Sequence, residues 1–412
     1  MATPWGGEVT PTKVIRGIDT LLTMDPSLGS GRWGRIDDGA VAMSGERVIW
    51  VGHTADCPDA PQIIDGSGCI ALPGLVDCHT HAVWAGSRAV EFEKRLAGAN
   101  YTDLLKAGGG ILSTVRRTRE ASEDVLSELA AARLRGMRGR GVTTVEIKSG
   151  YGLSPESEAR CLRAARRAGV LADVHVTTTF LGAHTIPAEH RSDRAGYVRE
   201  VIEVQLPAVA HLADAIDVYV DEGAFTVDEG RSILSAGRAL GLRVRIHAEQ
   251  VAHTGAAAMA AGLGAASADH LEQIDDAGIA AMAASGTIGV LLPGAMLYLR
   301  DPSPPVPALR AAGVPMAVAT DLNPGTSPVA DLWTCATLAC VMMRLTVEEA
   351  LCGITSVAAD VLGLPDRGRL TPGSRADMVL VRPAPGEPSE PAVIVQHLGA
   401  PTVVAVIRGG GL

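Results

Sequence analysis

Cysteine pairs at metal-knot spacing are absent from this chain. Its seven cysteines (Cys57, Cys69, Cys78, Cys161, Cys335, Cys340, Cys352) are odd in number and form no CxxC. That excludes a thiolate zinc knot and argues against a disulfide framework, and it predicts reduced thiols in a cytoplasmic protein. Long apolar runs are also missing, none reaching the ~18 residues that span a bilayer. The opening MATPWGGEVT has no basic segment followed by an apolar one, so no secretory leader and no membrane partner are expected. Basic charge is in deficit, with 36 Lys and Arg against 46 Asp and Glu and a net charge of −10. A phosphate-tracking surface needs the opposite balance, so nucleic acid is not an expected partner. An anionic small molecule must then be met by a local Arg or by backbone donors.

What is present is a globular composition. The 412 residues are 47% hydrophobic and 20% charged, and a chain of this length buries roughly three quarters of its unfolded surface. Both ends read as short strands punctuated by turns. Near the start these are AVAM, a turn at Ser44–Arg47 and VIWVG; near the end, ADMVLV, VIVQHL and TVVAVIRG. The middle alternates β-branched runs with Ala/Leu/Arg-rich helical runs. Eight candidate strands stand out: IALPGLVDC, TTVEIK, DVHVTTTF, AIDVYV, RVRIH, AASADH, TIGVLL and PMAVAT. Strand–helix alternation implies parallel pairing, and eight units close into a (β/α)8 barrel, with an open doubly wound sheet as the alternative. The expected α/β organisation is a TIM-like barrel over 72–364 and a small β-sandwich domain built from 1–71 and 365–412. The GAAAMAAGLGAA tract reads as a close-packed helix. The long link between the first two strands, residues 82–141, is the kind of excursion that usually carries function.

Polar residues with metal-ligand chemistry cluster at the expected strand ends. His79 and His81 are two apart, so in extended chain both rings face one side. RVRIH ends in His247, AASADH in His270, and PMAVAT runs into Asp321. The C-terminal ends of barrel strands are where active sites sit. Each residue taken singly has a structural reading; Asp321, before Asn323-Pro324-Gly325-Thr326, could cap a helix. Together, three imidazoles and a carboxylate form a donor set that suits zinc or iron and leaves room for water. Lys148 and Glu146 share a strand face and read as an internal ion pair. Cys335 and Cys340 lie in an apolar helix and read as core. Gly108-Gly109-Gly110 lacks the Lys-Ser/Thr of a nucleotide loop and reads as a turn.

The segments LPGLVDCHTHAVWAGSR, EFEKRLAGANY, AGGGILSTVRRTREAS, EIKSGYGL, TFLGAHTIP, IHAEQ, ADHLE and MAVATDLNPGTSP resemble the imidazolonepropionases of the amidohydrolase superfamily over essentially the whole chain. HxH marks only the superfamily; EIKSGYGL and ATDLNPGTSP with AGGGI are more specific. The resemblance implies one Zn2+ or Fe3+ per subunit on His79, His81, His247 and Asp321. It implies a substrate held by Arg88, Tyr101, Tyr151 and His184, with Asn323, Gly325 and Thr326 at the product's glutamate end and His270 beside the attacking water. It also implies a homodimer that opens the ring of 4-imidazolone-5-propanoate to N-formimino-L-glutamate in histidine degradation. Hydroxide formed at such a metal attacks the lactam carbonyl, with His270 or His184 stabilising the oxyanion and Asp321 or His270 moving the proton. A bidentate Arg88 would pair with a substrate carboxylate. Gln250 stands where some relatives carry a carboxylate. It can hydrogen-bond a ring amidine but not shuttle a proton, so it is assigned to substrate recognition. The competing expectation is a purine or pyrimidine deaminase on the same barrel, which would release ammonia.

Overall fold

The computed structural model describes residues 10–98 and 109–411. The first strands are β1 (Lys13–Leu22), β2 (Arg35–Ser44), β3 (Arg47–His53), β4 (Gln62–Asp65) and β5 (Ile70–Pro73). The barrel strands follow: β6 (Leu75–Asp77), β7 (Val142–Lys148), β8 (His175–Ala183), β9 (Ala215–Val220), β10 (Arg243–Ala248), β11 (Ser267–His270), β12 (Ile288–Leu291) and β13 (Met316–Val318). The chain then returns to β14 (Met378–Arg382) and β15 (Thr402–Ile407).

Strands β6 to β13 form one eight-stranded sheet in sequence order, every neighbouring pair parallel. The order is that of a barrel, not of a doubly wound sheet, because no strand is inserted out of turn. The two edge strands do not pair along their length. They are joined just beyond their C-terminal ends, where Thr80 and Leu322 form a parallel bridge. There the Asp321 amide donates to the His79 carbonyl at 3.0 Å and the His81 amide to the Leu322 carbonyl at 3.0 Å. Asp77 reinforces the seam, accepting from the Thr320 hydroxyl at 2.6 Å. Burial pushes its carboxyl up to about 6.

The two chain ends meet in a second, mixed sheet of seven strands, ordered β15-β14-β5-β1-β2-β3 with β4 also on β1. Its faces serve different cores. Ala71, Met378 and Leu380 point into the small domain's own core, while Ile70, Leu72, Val379 and Val381 join the core of the barrel. Period-two alternation is therefore real but invisible in the hydropathy, because both faces are buried.

Two local expectations change. IALPGLVDC is not one strand: β5 ends at Pro73, and after Gly74 the chain enters the barrel as β6. A Cβ on Gly74 would stand 2.4 Å from Thr143 Oγ1, so glycine lets the chain pass between the sheets. VIVQHL, expected as a strand, lies largely in a helix spanning Pro391–Gln396. Proline at its first turn suits a helix start, and Ile394 and Val395 gain burial against the barrel's core, which overrides their β-propensity. The helical readings hold at Glu123–Arg138, Pro155–Ala172 and Ala256–Gly262. Cys335 is fully buried in the helix Leu332–Met343, whereas Cys340 sits half-buried at its rim.

Candidate metal centre

The residues at the barrel's C-terminal mouth converge. His79, His81 and Asp321 offer ligand atoms within 4.8 Å of one another, as do His79, His247 and His270. His79 Nε2 is 3.5 Å and His81 Nε2 3.4 Å from Asp321 Oδ1, and His247 Nε2 is 3.4 Å from His81 Nε2. Two imidazole nitrogens facing each other at that distance make a poor hydrogen bond. Ligand atoms ~2.0–2.1 Å from a shared ion in tetrahedral geometry stand about that far apart. His79 Nε2 is buried with no hydrogen-bond partner. The donor set therefore fits a metal ion.

The ring orientations are set from behind. His79 Nδ1 lies 2.6 Å from Asp269 and His247 Nδ1 2.9 Å from Asp217. Such carboxylates fix the tautomer and aim Nε2 at the ion. Both carboxylates belong to a fully buried network inside the barrel. Lys148 reaches Asp217 at 2.8 Å and Glu146 at 3.0 Å, and Arg245 reaches Asp269 at 2.9 Å and Glu146 at 3.2 Å. Burial alone would raise Asp217, but His247 and Lys148 hold it well below the ordinary carboxylate range. The predicted Lys148–Glu146 pair is present as part of this larger array. Asp217, Asp269 and Arg245 were not singled out from the sequence. The available signal was a charge within each of the otherwise apolar strands β9, β10 and β11, with Arg245 two residues before His247 on the same strand face.

Asp321 is 3% exposed and caps no helix: Asp331 caps the next one, accepting from the Trp333 amide. Its carboxyl is held well below the ordinary range, burial being outweighed by the facing imidazoles of His79 and His81. Asp321 has φ +51° and His270 φ +83°, so each leaves its strand with a reversed backbone. Asp269 and His270 would otherwise point to opposite faces. The reversal brings the His270 ring to the mouth, 6.0 Å from His79 and 5.5 Å from His247, while Asp269 stands behind His79. Burial lowers His270 to about 3 and His81 to about 4.

The other predicted residues surround this centre. His184 stacks on His81 with centroids 5.0 Å apart and an interplanar angle of 16°, and its Nδ1 is held at 2.9 Å by the Gly150 carbonyl. The buried Tyr151 ring stands 5.9 Å from His81 and 5.4 Å from His184. Gln250 Oε1 accepts from the Tyr219 hydroxyl at 3.2 Å, which leaves its amide NH2 as the group it can offer. Tyr219, a residue the sequence did not flag, lies 5.8 Å from His247. Arg88 pairs with Glu91 at 2.6 Å, and a Cβ on Gly325 would come 2.9 Å from Arg88 Nη1. Glycine at 325 thus admits the guanidinium. The Asn323 side chain is spent on its own loop: Oδ1 accepts from the Gly325 amide at 2.9 Å and the Thr326 amide at 2.7 Å, and Nδ2 reaches Asp321 Oδ2 at 3.0 Å. Near the glycine triplet, the Gly110 amide donates to Glu91 at 3.1 Å. Tyr101 and Gly108 lie outside the described residues.

Comparison with known proteins agrees with this architecture. A family model described as "Amidohydrolase family" matches residues 93–411. The chain is 48% identical to an imidazolonepropionase of Paracoccus denitrificans, over 95% of this chain and 98% of that one. It is 49% identical to one of Cupriavidus taiwanensis, over 91% and 90%. Among solved structures, the zinc complex of the atrazine chlorohydrolase of Arthrobacter aurescens TC1 superposes with a TM-score of 0.71 at 19% identity, covering 97% of this chain and 94% of that one. A zinc-bound adenosine deaminase of Xanthomonas campestris gives 0.71 at 17%, covering 97% and 92%. The solved structures share the fold alone. The family model and the high identity to curated relatives, nearly end to end, decide the membership: the chain belongs to the imidazolonepropionases of the amidohydrolase family.

Proposed function

We propose that this enzyme hydrolyses the ring lactam bond of 4-imidazolone-5-propanoate to N-formimino-L-glutamate, the ring-opening step of histidine degradation. The observation that carries the proposal is the convergence of His79, His81, His247 and Asp321 in a chain 48% identical to an imidazolonepropionase. These four residues would hold one Zn2+ or Fe3+, since both ions accept three imidazoles and a carboxylate. Bound there, such an ion would lower the pKa of a water and polarise the carbonyl.

The remaining chemistry belongs to the chain. Asp321 is a carboxylate with little tendency to stay protonated, which suits brief acceptance and release of the water's proton. His270 and His184 are neutral rings whose N–H groups stabilise charge developing on the carbonyl oxygen. The proton taken up by Asp321 then passes to the departing ring nitrogen, either directly or relayed through His270, which gains one proton as it gives one up. Tyr151 and His184 form a wall for the flat heterocycle, and Gln250 donates its amide hydrogens to a ring acceptor. Arg88 meets the propanoate carboxylate beside Gly325 and Thr326, in a loop that Asn323 folds. Tyr101 is carried as a further substrate contact.

The partner is a small anionic substrate, not nucleic acid or membrane, and the assembly is a homodimer. No helix of the described residues is long and apolar enough to cross a membrane. The cytoplasmic compartment is proposed on the cysteines, all seven of which are free thiols.

The test is incubation of the metal-replete protein with 4-imidazolone-5-propanoate, following loss of the ring chromophore and weighing the product. The expected product carries the mass of one added water with no ammonia released. A product without that mass, or ammonia release, overturns the assignment.

A further inference from the structure

Glu272 takes no part in the chemistry above, yet its setting is unusual. It is 6% exposed, and neither carboxyl oxygen has a hydrogen-bond partner outside its own residue. Among the described residues the only basic group within 4 Å is His270, whose Nδ1 is 3.8 Å from Oε2. That Nδ1 is also buried and without a partner. Two unsatisfied polar groups thus face each other in a region where both are costly to leave unpaired.

The backbone creates the encounter. His270 and Leu271 have φ of +83° and +75°, two successive left-handed residues that are not glycine. Such strain persists where the surroundings over-determine it, and it concentrates at functional sites. The hook is pinned to the neighbouring strand end: the Leu271 amide donates to the Ala248 carbonyl at 3.2 Å and the Gln273 amide to the Glu249 carbonyl at 2.7 Å. It brings the side chain of residue 272 back beside the ring of residue 270.

Three of the four other imidazoles at the mouth share one arrangement, and the fourth, His81, does not, its Nδ1 being buried without a partner. His79, His247 and His184 each have Nδ1 held by an oxygen, from Asp269, Asp217 and the Gly150 carbonyl. His270 has no such anchor unless Glu272 supplies it. The gap between them is about 1 Å longer than an N–H···O bond, and hydrogen bonds of catalytic groups are often long in the absence of substrate.

We propose that Glu272 is the positioning residue of His270: its carboxyl group hydrogen-bonds Nδ1, selects one tautomer and turns Nε2 toward the substrate. It restores to the site a buried carboxyl that position 250, a glutamine, does not provide. The kinetic consequence rests on the hydrolase reading; the tautomer does not.

The test uses the full-length zinc-loaded protein with Glu272→Leu and Glu272→Gln. The nitrogen resonances of His270 are recorded without substrate, and kcat, KM, bound zinc and Tm are measured alongside. In the native protein His270 is expected as a single tautomer. Glu272→Leu should average the two tautomers and lower kcat about tenfold or more, with KM and zinc content unchanged. Glu272→Gln, whose amide can still hydrogen-bond Nδ1, should keep one tautomer and more of kcat than the leucine variant. A Glu272→Leu protein with native kcat or an unaltered His270 tautomer overturns the proposal. So does activity lost only in step with zinc or Tm. Native protein that fails to open the imidazolone ring defeats the hydrolase reading instead, and the resonances still decide the role of Glu272.

Discussion

At the scale of single residues, the site depends on groups that never touch the metal position. Asp217 and Asp269 orient His247 and His79 from inside the barrel, and Lys148 and Arg245 make their burial tolerable. Removing one member of such an array leaves a buried charge uncompensated. Asp217→Asn is expected to weaken zinc binding about 10–100-fold, read by competition with a chromophoric chelator, while a circular dichroism spectrum confirms the fold. Gln250 acts on the other side of the centre. With Oε1 held by Tyr219 it is a donor with a fixed aim, and it is not placed to carry a proton. Gln250→Ala should therefore raise KM with kcat largely kept; a collapse of kcat at native KM would give Gln250 a role in the chemical step. The four ligand positions and His270 were legible because HxH, His247, His270 and Asp321 each follow or end a readable strand. The supporting carboxylates were not, because an Asp in a strand looks the same whether it faces a ligand or an edge.

At the scale of elements, the barrel was readable and its seams were not. Seven of the eight candidate strands carry β-branched residues, and helical runs separate most of them, so the alternation pointed to their existence. The division of IALPGLVDC at Gly74 did not, because both halves are equally apolar and only their partners differ. Gly74→Ala would press a methyl group against Thr143 and is expected to cost ~1–3 kcal/mol. Urea unfolding should show a lower midpoint with an unchanged slope. The helix Pro391–Gln396 shows the same limit, since its three β-branched residues read as strand until their burial against the barrel is known.

At the scale of the whole molecule, the metal position closes the fold. His79 and His81 follow the first barrel strand and Asp321 follows the last, and a bridge between those segments joins the two edges. An ion held there clamps the seam, so zinc at a hundred times its Kd should stabilise the protein by ~2.7 kcal/mol. Stripping it with a chelator should lower Tm, and readdition should restore it. Acid acts in the same direction. Burial lowers His81 to about 4 and His270 to about 3, whereas unfolded histidines titrate near ~6.5. These rings thus favour the folded state fully above pH ~6.5, and that contribution is lost as pH falls toward 4, where the unfolded chain takes up more protons. His79 opposes the trend, since the carboxylates of Asp269 and Asp321 beside it outweigh burial and raise its pKa. Protons also compete with zinc for the same nitrogens. The urea midpoint of the zinc-loaded protein is expected to fall steadily from pH 7 to pH 5; a flat profile would mean that these rings are protonated to the same extent in both states.

Periodicity and residue chemistry, both local properties, were enough to foresee a barrel, two chain ends in one β domain, and the side chains able to bind a metal. Which strands adjoin, where the chain crosses from one sheet to the other, and which carboxylates stand behind which imidazoles were settled by the folded structure. Those relations join residues as distant as His79 and Asp269. Their energies arise only when burial strips away water and makes each polar group depend on whatever partner the packing brings to it.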